Sequence, residues 1–154
     1  MNIICNRDKL NQAVSTVSRA VSSKTTIPAL EGILLRAGED SVTLSGYDLE
    51  LGITTSIPAV VKEPGELVLS SKLLGDMVRR MPSEDVSILS DEKLLTQVTS
   101  GAAQYTILGI PADEYPELPA LGEAQLISIP QNLLKSMITQ TIFAVPLSDS
   151  KPIL

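Results

Sequence analysis

Histidine and tryptophan are missing altogether from the 154 residues, cysteine occurs once, and the other aromatics amount to three tyrosines and one phenylalanine. Without histidine the usual general base, the commonest transition-metal ligand and the Ser-His-Asp kind of triad are excluded together. The one cysteine, Cys5, rules out an internal disulfide framework and any multi-cysteine metal site. Set in an apolar stretch, it reads as a small buried residue rather than a reactive thiol. No apolar run approaches the ~20 residues that span a bilayer. The opening Met1-Asn2-Ile3-Ile4-Cys5-Asn6-Arg7-Asp8 lacks the basic-then-apolar order of a secretory leader, so a cytoplasmic location is expected. Acids outnumber bases 18 to 12, a net charge of -6 that by itself argues against binding a phosphate backbone.

What is present is an apolar fraction of 44% with almost no low-complexity sequence, which predicts a folded chain with a real core. A strand over about Asn2 to Cys5 leads into a helix whose Leu10, Ala13, Val14, Val17, Ala20 and Val21 form one stripe, with Asn6 or Asp8 as its cap. From Glu31 to Ile57, runs of Val, Ile, Leu and Thr broken at Ala37-Gly38-Glu39-Asp40 and Gly46-Tyr47-Asp48 predict a three-stranded antiparallel meander. Pro58 and Pro64-Gly65 then mark a second beginning.

The same order recurs after that break. Leu67-Val68-Leu69 predicts a strand, and Ser70 or Ser71 caps a helix with Leu73, Leu74, Met77, Val78 and Met81 on its apolar side. Val86 to Leu89, Leu94 to Thr99 and Gln104 to Ile110 predict three more strands. The fold expected is α+β: two strand-helix-three-strand repeats, with helices on one face and antiparallel sheets on the other. A third beginning follows. Moving Ile127 to Leu154 back by 124 positions lays it without a gap on Ile3 to Leu30, with six identities: Ile127, Leu134, Ala144, Val145, Pro152 and Leu154. The apolar face of Leu133, Leu134, Met137, Ile138, Ile142 and Phe143 then lacks the sheet it should cover, so the chain is expected to be a fragment of a longer protein.

Charge is segregated along the chain. The three helix-bearing stretches carry Arg7, Lys9, Arg19, Lys24, Lys72, Arg79, Arg80 and Lys135 against only Asp8 and Asp76, leaving four bases and sixteen acids elsewhere. If the helices share one face, that surface attracts a polyanion and the opposite one repels it. A plainer reading is that helix surfaces favour Lys and Arg while loops collect Asp and Glu. No aromatics interleave with the bases, so stacking on single strands is unsupported, and backbone contact with duplex fits better.

Four motifs carry a family resemblance: Thr26-Ile27-Pro28-Ala29-Leu30, Leu44-Ser45-Gly46-Tyr47-Asp48-Leu49-Glu50, Met81-Pro82, and Leu108-Gly109-Ile110-Pro111-Ala112-Asp113-Glu114-Tyr115-Pro116. In this order and spacing the chain resembles the bacterial sliding clamps, the beta subunits of DNA polymerase III, over essentially its whole length. The resemblance implies a homodimeric ring with helices lining the hole. Residues 1-121 would be the first clamp domain and 122-154 the opening strand and helix of the second. It implies duplex DNA as partner, along with DNA polymerase III and the clamp loader, and no cofactor or catalytic role. Lys24, Lys72 and Arg79 match positions close to DNA, Arg19, Arg80 and Lys135 belong to the same basic helix faces, and Ser148 with Lys151 matches a further contact loop. Pro152 and Ile153 depart from an aromatic pair that some relatives carry. Met81, Tyr105 and Ile107 are the implied dimer contacts, with ordinary core as their competing reading. Two other functions compete: a protein-interaction scaffold without a DNA role, and a carboxylate hydrolase using Asp113-Glu114 or Asp48 and Glu50. The hydrolase lacks both paired carboxylates across a cleft and substrate-stacking aromatics.

Overall fold

The computed structural model describes residues 1–22, 25–119 and 127–145. They fall into two compact units, Met1–Leu118 and Pro119–Leu154. In the first, β1 (Asn2–Asn6), α1 (Arg7–Val17), β2 (Gly32–Ala37), β3 (Ser41–Tyr47) and β4 (Gly52–Glu63) form one strand-helix-three-strand repeat. The second repeat is β5 (Gly65–Ser70), α2 (Ser71–Arg79), β6 (Asp85–Ser90), β7 (Leu95–Ser100) and β8 (Ala103–Leu108). This is the α+β repeat architecture that the sequence predicts. No helix among the described residues is long and apolar enough to cross a membrane.

The eight strands are hydrogen-bonded in the order β5-β2-β3-β4-β1-β6-β7-β8, all named neighbours antiparallel. The leading strands cross over between the repeats. β1 lies between β4 of its own repeat and β6 of the other, while β5 pairs with β2. The two ends of the sheet meet at one point, where Val68 and Ile110 exchange both backbone hydrogen bonds at 2.9 Å. The sheet is therefore a nearly closed barrel.

Period-two alternation sends one side chain in two inward from each strand. Ile3 and Cys5, Ile33 and Leu35, Val42 and Leu44, Leu67 and Leu69, Val86 and Ile88, Val98 and Ile107 meet Leu10, Ala13, Val14 and Val17 of α1 and Leu74 and Val78 of α2 in a single core. Burying each large aliphatic contributes roughly 1.5–3 kcal/mol. Both helices thus cover the same side of the sheet. Burial also pushes the Cys5 thiol up from 9.0 to about 12, with the nearby Asp85 carboxylate acting in the same sense. That keeps the thiol in its unreactive, protonated form.

Three local expectations need correcting. Pro58 does not end the first meander: β4 runs on through it to Glu63, exchanging its neighbour β3 for β1. A residue with no N–H is tolerated where the strand changes partner. Leu73 is 47% exposed rather than part of the α2 stripe, because Leu74, Val78 and Met81 already fill the face toward the core. Val21, expected to prolong the helical stripe, follows a short 3₁₀ turn in extended conformation and is only partly buried.

A smaller core lies on the other side of β2 and β5. Leu34, Val68 and Tyr47 are covered there by Ala29, Leu30 and Tyr115, with Ile27, Ile110 and Leu118 at the margin. Ile27, Ala29, Leu30, Tyr47, Ile110 and Tyr115 belong to three of the four family motifs, and their structural work is to fasten two connecting segments over the sheet. Tyr115 donates its hydroxyl to Ser45 O at 3.3 Å across 70 residues of sequence. Its burial pushes the phenol from 10.0 up to about 12.

In the second unit, α3 (Gln131–Thr141) is followed by a 3₁₀ turn, Ile142–Ala144. Their bounds are those of α1 and its own 3₁₀ turn, Ser18–Ala20, displaced by 124 positions, the offset of the sequence repeat. Ile127 to Pro130 forms no strand, since no described strand pairs with it. All described residues from Ile127 to Val145 are exposed, the apolar face of α3 included. The boundary expected at Leu121 lies outside the described residues.

Candidate nucleic-acid interface

α1 begins where Asn6 leaves the strand in an extended conformation and its side-chain oxygen accepts from the backbone N–H groups of Asp8 and Lys9, both at 3.1 Å. This cap occupies two of the four N–H groups that a helix start leaves without partners. α2 is capped the same way: Ser70 Oγ accepts from Leu73 N at 3.5 Å. The two helices are joined side by side by a hydroxyl pair, Ser18 Oγ and Ser71 Oγ, 2.8 Å apart, while Ser18 also donates to Val14 O. Each of these serines is followed in the chain by a cation, Arg19 and Lys72.

Between the helices runs an open groove of about 620 Å³. Asn11, Ser15 and Ser18 line it from the α1 side and Ser71, Lys72 and Arg79 from α2, with Glu31 as its one acid. Its lining is hydroxyl, amide and cation above an apolar floor that includes Val14. Such a surface offers hydrogen bonds and positive charge to an anion without a shaped cavity to select one.

The sequence-predicted cations are not equivalent. Lys72, Arg79 and Arg80 are exposed on α2 or at its end, and Arg19 is exposed on the turn after α1. Lys9, Arg19, Lys72 and Arg80 make no ion pair among the described residues, whereas Arg79 is bound to Asp76 at 2.6 Å. Arg7 has become a strut: it donates to Asp8 at 2.9 Å and to Met81 O at 3.2 Å, tying the start of α1 to the chain leaving α2. Lys135 is exposed on α3, in the second unit. Lys24, Ser148 and Lys151, like Pro152 and Ile153, lie outside the described residues.

Of the implied dimer contacts, Met81 and Ile107 are 3% and 6% exposed and belong to the chain's own core, with Tyr105 packed partly against it. What β8 turns outward is Gln104, Thr106 and Leu108, together with the backbone edge opposite β7. An unpaired edge of this kind is a template for another strand. Of the acidic residues singled out in the sequence, Asp48 is committed locally. Asp48 Oδ1 accepts from Leu51 N at 2.6 Å and Glu50 N at 3.0 Å, and these N–H groups, Leu51 foremost, hold its carboxyl below the usual range. No group of three His, Cys, Asp or Glu residues among those described could hold a metal ion.

Sequence reasoning missed the hydroxyl link between the helices, the second core around Tyr115 and the Asp76–Arg79 pair. Only the last had a readable signal, a carboxylate and a guanidinium three positions apart on one helix.

Comparison with known proteins agrees with this architecture. Residues 1–119 match the family model of the DNA polymerase III beta subunit, N-terminal domain. The chain is 38% identical to the beta sliding clamps of Bacillus subtilis and Halalkalibacterium halodurans, all of it aligning with 43% of each relative's length. Among solved structures, the DNA polymerase sliding clamp of Bacillus subtilis superposes with a TM-score of 0.93 at 38% identity, covering 99% of this chain and 42% of that one. The beta subunit from Streptococcus pyogenes gives 0.92 at 29% identity, covering 100% and 42%. With fold and sequence in agreement, the chain belongs to the DNA polymerase III beta subunit family, the bacterial sliding clamps.

Proposed function

We propose that this chain forms part of a ring that encircles duplex DNA and holds the replicative polymerase to it, the wall between α1 and α2 facing the DNA. The observation that carries this reading is the pairing of two helices on one side of the sheet, with Arg19 and Lys72 beside the serines that join them and no acid answering either charge among the described residues. Arg79 and Arg80 add to the basic surface, and Lys24, Lys135, Ser148 and Lys151 are further residues proposed to contact DNA. A few cations meeting a uniform phosphate backbone grip loosely and read no sequence. That is what sliding requires, since a closed ring is retained by its topology and strong contacts would only slow it.

In the full-length protein residues 1-121 would be the first clamp domain and 122-154 the start of the second. The ring would be a cytoplasmic homodimer closed through the open edge of β8, where Tyr105, Met81 and Ile107 shape the strand from beneath. The clamp loader and DNA polymerase III would bind mainly to other parts of the full-length protein, so this chain alone should neither close a ring nor hold them.

The test is a salt titration of duplex binding. Arg19→Glu with Lys72→Glu should reduce the slope of log affinity against log salt by about 1.8, at about 0.9 for each phosphate no longer neutralised. A scaffold with no DNA role predicts no salt-dependent retention and no response to charge reversal.

A further inference from the structure

The α2 surface beside the groove carries one acid, Asp76, and its partner is Arg79, one of the two cations that line the groove. Arg79 Nη2 donates to Asp76 Oδ1 at 2.6 Å, and Nε donates to Gly75 O at 3.2 Å. The edge formed by Nε and Nη2 is one through which a guanidinium makes a two-point contact with a phosphate. Here that edge is occupied by its own helix. Lys72, the other groove cation, has no ion pair among the described residues. Neither member of the pair is needed to seat α2, whose core side is Leu74 and Val78. An exposed pair of this kind adds little to stability. Its consequence lies in what it does to the charge and the reach of Arg79.

We propose that Asp76 is a positioning residue that keeps Arg79 partly neutralised and turned along α2, and so sets how firmly the groove holds a phosphate backbone. The inference rests on the duplex-facing reading of the groove. With Asp76 present, a phosphate must compete with a carboxylate already in place. With it neutral, Arg79 becomes a full contact.

The experiment measures anisotropy of a fluorescein-labelled duplex with the whole chain across a salt series, for wild type, Asp76→Asn, Asp76→Glu, Arg79→Ala and the Asp76→Asn/Arg79→Ala double variant. Asp76→Asn should bind about two- to fivefold more tightly at low salt, with a slope steeper by up to about 0.9. Asp76→Glu should restore wild-type behaviour, and in the Arg79→Ala background the gain should fall by more than half. Wild-type affinity in Asp76→Asn overturns the proposal, as does an equal gain without Arg79, which would make Asp76 a matter of net charge alone. Lys72→Glu separates the two levels. If it leaves binding unchanged, the duplex reading fails and this inference with it; if it weakens binding while Asp76→Asn is silent, only the role of Asp76 falls. Unfolding midpoints in urea that match wild type confirm that each variant is folded.

Discussion

The two repeats of the first unit share an element order and differ in how they close. In the first, β4 continues beyond β3 and pairs Ala59, Val60, Val61 and Glu63 with β1. In the second, the corresponding chain after β8 meets β5 only between Ile110 and Val68, and turns away at Pro111. Superposing the meanders through the pairs Leu44 with Thr55 and Val98 with Tyr105 sets Val61 of the first against Pro111 of the second. Val61 pairs with Ile3 in β1, whereas Pro111 pairs with no strand and leads into the turn Ala112–Glu114. The same stretch of chain thus seals the barrel in the first repeat and leaves its outer edge open in the second. β8 is left with a free edge and β4 is not.

The largest effect expected is at the sealed side. Ile3, fully buried in β1 between β4 and β6, supports both repeats. Ile3→Ala should destabilise the unit by about 2–5 kcal/mol in urea unfolding, with both repeats still melting in one cooperative transition. If instead only one repeat melts early, the strand crossover does not couple them. Next comes the single bridge. Ile110→Pro removes one of its two hydrogen bonds and leaves the carbonyl of the buried Val68 without a donor, at a cost of about 1–3 kcal/mol. Amide exchange between β1 and β4 should be unchanged, and a loss as large as that for Ile3→Ala would show that the open side is as structural as the sealed one.

The smallest effect concerns the strap over β2 and β5. Tyr115→Phe gives up the bond to Ser45 O and should cost about 0.5–1.5 kcal/mol at neutral pH. Its pH dependence has a definite sign. A phenol raised by burial from 10.0 to about 12 contributes stability that is complete below pH 10 and is lost as pH rises through that window. The wild type should therefore converge on Tyr115→Phe above pH 10. Cys5, raised from 9.0 to about 12, weakens both proteins alike from pH 9 upward. Parallel curves would show that Tyr115 is not ionising on unfolding.

Local pattern was enough for much of this. The helix cap at Asn6, the stripe Leu10, Ala13, Val14 and Val17, and the turn at Asp48 are written within a few residues, and α3 lies where the offset of 124 puts it. What could not be read is non-local. Nothing near Gly65 says that β5 pairs with β2 across the intervening meander, and nothing near Pro58 says that β1 waits to receive β4. Leu73 carries the right apolar character for the core but stands on the flank of a stripe already filled by Leu74 and Val78. At the candidate interface, residue type located Arg19, Lys72 and Arg79 on helices, but whether a cation is spent on a neighbour, as Arg7 and Arg79 are, depends on side-chain geometry.

The crossing of the leading strands bears on how the molecule comes to be folded as it is made. Residues 1 to 63 alone leave β1 without β6 and β2 without β5, and the later half alone leaves β5 without β2 and β6 with β7 as its one neighbour. During synthesis the full set of strand partners therefore exists only once the chain through Ile110 has left the ribosome.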